Sequence, residues 1–204
     1  MWFPEFLLLE VIFVDEVNHL RIVQAAAELF NAKGYRNVTL SELAARLGMS
    51  KKTLYLYFSG KEEIAEAVLE QTMQAIACKV AEGAERKGNP IQILEDTFAA
   101  IKQEIIKLNP VFLEDIQKYI PGMWKRLEDF RAGQLLFIEG LLNQAQQLGL
   151  IRDLNPKLVS AIMLQSIQTF VRPDFAAKHG VAMVEVADTL FSLFTKGLRK
   201  ENNE

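Results

Sequence analysis

The stretch TLSELAARLGMSKKTLYLYFSGKEE, residues 39–63, holds two short helical patterns separated by Leu47-Gly48-Met49-Ser50. Leu40, Leu43, Ala44 and Leu47 recur at intervals of three and four, which gathers them on one helix face. Thr39 and Glu42 have the spacing of a capping box, with Val38 and Leu43 at the positions of a hydrophobic staple. Gly48 supplies the stop. Ser50 restarts the chain as an N-cap with Met49 and Leu54 again in staple register, and Ser59 with Glu62 repeats the box before a long helical pattern. Two helices joined this tightly form a helix-turn-helix.

That motif explains the composition of its second helix, KKTLYLYF. At about 100° per residue, Leu54, Tyr57 and Phe58 share one side, Lys52 and Leu56 point the opposite way, and Lys51, Thr53 and Tyr55 lie on the flanks. The second helix must be held from behind while its front enters the major groove of DNA. Lys52 suits guanine N7 and O6, and Leu56 suits a thymine methyl. Thr39 and Ser50 stand at helix N-termini, where hydroxyls and backbone N–H groups favour phosphate. Lys51, Thr53, Tyr55, Tyr57 and Lys61 are suited to clamp the backbone on either side. The alternative for Tyr57 is a core position, and for Lys61 a solvated charge.

Upstream, IVQAAAELFNAKGY places Ile22, Ala25, Ala26, Leu29 and Phe30 at helical spacing, and Gly34 is expected to stop that helix in a left-handed conformation. The charge distribution follows the same division. The whole chain of 204 residues carries −3, yet residues 15–61 hold seven Lys/Arg against four Asp/Glu, net +3, so the remainder sums to −6. Such asymmetry points to a polyanionic partner for the first part alone.

From Ile22 to about Val68 the chain resembles the DNA-binding region of the TetR (tetracycline-repressor-like) family of transcription regulators. The resemblance rests on AAAELFNAKGY and LSELAARLGMSKKTLYLYFSGKEE, and above all on the string S-K-x-T-L-Y-x-Y-F-x-x-K-E. Position by position it implies DNA contacts from Thr39, Ser50, Lys51, Lys52, Thr53, Tyr55, Tyr57 and Lys61. Lys52 departs from the family pattern, which often has a small residue there, commonly glycine. A closer approach of backbone to DNA is thereby lost, and a different sequence is read. Beyond residue 70 the resemblance amounts to length, helix count and the turn GLIRDLNP. It implies a ligand-binding body, a double-stranded DNA operator as partner, and homodimerisation through the last two helices.

The remaining sequence is punctuated for helices throughout. A long helix runs from Ser59 to about Arg86; Asn89-Pro90, Asn109-Pro110 and Asn155-Pro156 open others; Pro121-Gly122, Gly149 and Arg172-Pro173 close them. A helix from Trp124 to Leu148 and a last one from about Val181 to Leu198 complete the pattern. The expectation is an all-α protein of about nine helices. Residues 15–60 form the helix-turn-helix domain, packed on a larger ligand-binding and dimerisation domain, residues 61–204. The apolar start, residues 1–14, is too short to span a membrane and carries acids where a signal peptide has positive charge. It reads as an extra packing segment or as residues upstream of a start near Val17. An intact native peptide containing Trp2 excludes the late start.

The segments LVSAIMLQSIQTFV and VAMVEVADTLFSLFTKGL carry more apolar surface than one protein face needs, which favours a second copy. Candidate ligand contacts are Met73, Phe98, Phe112, Tyr119, Trp124, Phe130 and Phe137, with Gln103, Gln117, Gln134 and Glu104 to orient the ligand. They point to a small, largely apolar effector that releases a repressor from its operator. The alternative keeps the fold but gives the large domain a protein or membrane partner. Nothing points to catalysis, a metal or a cofactor. His19 and His179 lie in separate regions without ligand spacing, and read as surface or capping residues. The lone Cys78 reads as a small core residue, and its solitude favours a reducing compartment, the cytoplasm. The charge runs LEDI and RLEDFR read as solvated faces.

Overall fold

A computed structural model describes the backbone of residues 5–200 and the side chains of 15–200 other than Leu135. The side chains of the apolar stretch 1–14 lie outside the described residues, so its expected packing role does too. The described backbone is helical, with one isolated antiparallel bridge between Ile151 and Arg199. It divides into two compact units, residues 1–71 and 72–204, with the division inside one helix.

The first unit contains α1 (Glu5–Asn37), α2 (Leu40–Leu47), α3 (Lys51–Tyr57) and the first turns of α4 (Lys61–Glu85). Its core is the periodic set expected from sequence: Ile22, Ala26, Leu29 and Phe30 from α1, Leu43 and Ala44 from α2, Leu54 from α3, and Ile64 and Val68 from α4 are all buried. Gly34 leaves the helical region at φ 76°, ψ 161°, which is positive in φ but not the left-handed helical stop expected. Gly48 does adopt that conformation, φ 67°, ψ 28°, and its N–H and that of Met49 bond back to Ala45 O and Ala44 O at 3.2 and 3.0 Å. A side chain at Gly48 would be strained in this conformation, which fixes the turn between α2 and α3.

The second unit contains the rest of α4, then α5 (Pro90–Ile105), α6 (Pro110–Tyr119), α7 (Pro121–Gly133), α8 (Leu135–Gln147), α9 (Pro156–Phe170), α10 (Pro173–His179) and α11 (Met183–Leu198). Asn89, Asn109 and Asn155 cap α5, α6 and α9 through their side-chain oxygens, each with proline at the first helical position. The core joins Ile91 and Leu94 of α5, Leu141 and Leu142 of α8, Met163 of α9 and Leu198 of α11. At Gly83 on α4 an added Cβ would overlap Thr97 Oγ1 and press on Phe137, so only glycine lets the three helices meet so closely.

The helix count exceeds the expected nine for two local reasons. The segment expected as one helix from Trp124 to Leu148 is broken at Gln134, just after Gly133, whose low helix propensity weakens the run. There Gln134 N bonds to Arg131 O, an i→i−3 contact that tightens the chain into a turn. After Pro173 closes α9, the chain winds one further short helix, α10, ended by Gly180 in the left-handed conformation.

Candidate nucleic-acid interface

α3 has seven residues, too few to be stable alone, so its geometry comes from its caps and its docking. Ser50 Oγ accepts from Thr53 N at 3.0 Å and shares a hydrogen with Thr53 Oγ1 at 2.9 Å. Leu54 is 1% exposed and Phe58 4%, and they pin the helix from behind. The front is open to solvent. Leu56 is 77% exposed and Tyr55 55%, and Lys51 and Lys52 are exposed beside them. Thr53 is half-buried on the flank.

The charges nearby sort themselves the same way. Glu28 pairs with Arg46 and Glu42 with Lys33, which neutralises two of the four acids of residues 15–61. Among the described residues, neither Lys51 nor Lys52 makes a hydrogen bond or ion pair, so both ammonium groups face water. Removing either from water onto phosphate or a base edge breaks no internal contact. Thr39 Oγ1 accepts from Glu42 N at 3.2 Å, which uses a lone pair and leaves the hydroxyl proton available to an external acceptor. The reciprocal half of that capping box is replaced, because the Glu42 carboxylate turns to Lys33.

Two residues at the edge of this surface are held from within. Tyr57 is half-buried; its hydroxyl donates to Asp15 Oδ1 at 3.3 Å and accepts from Asn18 Nδ2 at 3.2 Å. Tyr57 and Leu56 border an open cleft of about 520 Å³ with Asp15, Glu16 and His19. Lys61 is turned inward: Nζ donates to Tyr35 O at 3.0 Å, Val38 O at 2.9 Å and Arg36 O at 3.4 Å, and lies 4.3 Å from the Tyr35 ring centre. The box expected from Ser59 and Glu62 is shifted by one. Ile64 N bonds to Gly60 O, making Gly60 the cap residue, so Glu63 rather than Glu62 reaches back to the Ser59 N–H. Hydrogen bonds from Ser59 hold the Glu63 carboxyl below the usual carboxylate range.

In the second unit the residues expected to contact a ligand occupy several settings. Phe98 and Phe137 both pack against the core cluster, and Phe98 stacks on Phe191 with ring centres 4.2 Å apart. Met73 and Phe112 are buried, whereas Tyr119 and Gln103 face solvent. Gln134 Nε2 donates to Phe130 O at 3.2 Å, and Gln117 Nε2 to Asp174 Oδ1 at 3.2 Å. Glu104 pairs with Lys107. Trp124 lies near two guanidinium groups, Arg131 at 5.8 Å and Arg172 at 5.9 Å.

RLEDFR is not wholly a solvated face. Glu128 and Arg131 form a largely sequestered pair at 2.9 Å, and burial pushes the Arg131 guanidinium down against the opposing pull of Glu128. Cys78 is exposed, not core, because Met73, Ile76 and Val80 take the inward face of α4 and leave it outside. His19 and His179 are exposed; His19 stacks on Phe58, and His179 lies tilted against Phe175 with ring centres 4.4 Å apart.

The model for bacterial regulatory proteins of the tetR family matches residues 22–68, the span that contains α2, α3 and the start of α4. Over 181 residues the chain is 30% identical to the uncharacterised HTH-type transcriptional regulator YvaF of Bacillus subtilis (strain 168), covering 87% of this chain and 94% of that one. The chain belongs to the tetR family. As a tetR-family member it is a DNA-binding transcriptional regulator with an all-α fold and an N-terminal helix-turn-helix. Solved structures share that fold at lower identity. A regulator from Saccharomonospora viridis in complex with choline matches with TM-score 0.68 at 17% identity, over 91% of this chain and all of that one. SmeT, the repressor of the Stenotrophomonas maltophilia efflux pump SmeDEF, matches with TM-score 0.67 at 17% identity, over 90% and 91%. Among the described residues of this tetR-family chain, no helix is long and apolar enough to cross a membrane.

Proposed function

We propose that this regulator is a repressor that reads its operator as a homodimer and leaves it when the larger unit takes up a small, largely apolar effector. The observation that carries the DNA half is the front of α3: Lys51, Lys52, Tyr55 and Leu56 exposed, with both lysines unpaired among the described residues, on a helix fixed by Leu54 and Phe58. In this reading Lys52 and Leu56 meet base edges, and Lys51, Thr53, Tyr55, Ser50 and Thr39 hold phosphates. Tyr57, engaged with Asp15 and Asn18, braces α3 at its C-terminal end.

One helix-turn-helix reads too few base pairs for useful specificity, so the proposal requires two copies. α9 supports it. Leu158, Ala161, Ile162, Gln165 and Thr169 recur at intervals of three and four along it and are exposed, as is Leu193 on α11. The effector half rests on Met73, Phe98, Phe112, Trp124, Phe130 and Phe137 as apolar walls with Gln134 among them. The choline complex and the efflux-pump repressor are relatives in fold whose names match a ligand-responsive repressor. α4 runs through both units, and its displacement by an effector would alter the spacing of two reading heads. This regulatory role leaves no need for catalysis, and no enzymatic activity is proposed.

Footprinting on the DNA upstream of its own gene is the test. The expected result is one protected site of two related half-sites about one helical turn apart. Absence of any protected site over that region, at concentrations where random duplex is bound, would overturn the reading.

A further inference from the structure

We propose that Lys33 is a positioning residue for DNA binding: it draws the Glu42 carboxylate off the N-terminus of α2 and neutralises it, which leaves that helix end open to a phosphate. This rests on the reading of Thr39 as a phosphate contact. Leu40 and Ser41 hold the first two positions of α2, so their N–H groups have no carbonyl within the helix to meet. With the Thr39 hydroxyl they form an end that favours an anion. The chain supplies a rival anion of its own. Glu42 stands at the third helical position, from which a carboxylate ordinarily folds back onto the N–H of the cap residue. Left there, it would occupy the Thr39 N–H and set a negative charge beside an arriving phosphate.

Lys33 removes that competitor. Its ammonium donates to the Glu42 carboxylate across the turn between α1 and α2. The turn itself is held: Gly34 leaves the helical path at φ 76°, and Asn37 Nδ2 donates back to Lys33 O at 2.9 Å. Arg46, one turn beyond Glu42 on α2, is taken by Glu28 and does not share the task. The side chains of Lys33 and Glu42 are 51% and 31% exposed, and ion pairs this open to water add little to stability. The weight of the pair therefore falls on the charge presented at the start of α2, not on folding.

Two measurements on the full chain decide this, with a random-sequence duplex as the DNA probe. Lys33→Met should weaken duplex binding about 3- to 10-fold at near-physiological salt and leave the unfolding midpoint near wild type. In the free protein the same change should slow amide exchange at Thr39, as Glu42 returns to the cap. Glu42→Ala added to Lys33→Met should restore wild-type affinity, and Lys33→Arg should retain it. Lys125→Met takes the same charge from an exposed pair in the second unit and should leave affinity unchanged. The proposal is overturned if Lys33→Met binds duplex as wild type does, or if exchange at Thr39 is not slowed. It is overturned equally if the double variant stays as weak as Lys33→Met, the signature of a lysine that meets phosphate itself, or if Lys125→Met loses as much. A failure of the operator reading looks different: Lys51→Met would then leave duplex affinity unchanged as well.

Discussion

Leu54 and Leu56 are two positions apart on the same short helix, and replacing each by alanine should have opposite consequences. Leu54 is 1% exposed and is the buried residue of α3, so Leu54→Ala removes three buried carbons from a helix that cannot stand alone. Leucine-to-alanine changes in cores cost about 2–5 kcal/mol, and a seven-residue helix between two fixed caps has little freedom to close the gap. A loss of about 3 kcal/mol lowers the ratio of docked to undocked α3 by roughly 100-fold or more, at 1.4 kcal/mol per factor of ten. Leu56 is 77% exposed, and surface changes of this kind alter stability by about 0.5 kcal/mol or less. Denaturant unfolding and amide exchange of α3 should therefore collapse toward the unprotected rate in Leu54→Ala and remain near wild type in Leu56→Ala. Binding to a set of duplexes should show the reverse in specificity. Leu54→Ala weakens every sequence by the same factor, and Leu56→Ala changes the preference at one position. An unfolding midpoint unchanged by Leu54→Ala, or base preference altered by Leu54→Ala and untouched by Leu56→Ala, would refute the division of α3 into a held back and a reading front.

Ser50→Ala removes the cap of α3 and should cost about 0.5–2 kcal/mol of stability, read as a lower denaturation midpoint, with weaker binding to all duplexes. Ile162→Glu places a charge in the exposed stripe of α9 and should shift the protein from dimer to monomer in sedimentation, with loss of operator binding and retention of helicity. Glu63→Gln tests the shifted cap. The folded carboxyl is held below its unfolded value by the Ser59 hydrogen bonds, so its stabilisation is present above the unfolded pKa of about 4.5 and is lost as pH falls through the folded value. Wild type should therefore be the more stable protein at neutral pH, with the difference vanishing in acid. A difference that grew on acidification would contradict the assignment.

Most of the first unit was legible because short helices advertise their ends. Thr39, Gly48 and Ser50 are each the residue type that a specific backbone conformation demands, and the buried set of α1 obeys one spacing. What escaped there depends on choices among neighbouring residues of similar chemistry. Glu62 and Glu63 differ only in whether Gly60 or Ser59 is the cap, and taking Gly60 as the cap places Glu63 at the third helical position. Glu42 has two partners within reach, its own cap and Lys33, which is near it only in the fold. Lys61 gave no signal of turning inward, since the carbonyls it meets lie at least 23 residues back in the chain. In the second unit the helix ends were legible at every Asn-Pro, whereas contacts between helices were not. The Phe98–Phe191 stack and the sequestered Glu128–Arg131 pair join or shelter residues through the tertiary packing alone. Cys78 is a case where helical spacing held the answer: Met73, Ile76 and Val80 already define an inner face that excludes it.

The central claim is that the exposed face of α3 reads base sequence, and Lys52 is its test. Lys52→Ala and wild type should each be used to select bound duplexes from a randomised pool at one salt concentration. The account predicts that preference changes at a single position in each half-site, by about 1–3 kcal/mol, with the other positions unaltered. Identical preferences for the two proteins would contradict it.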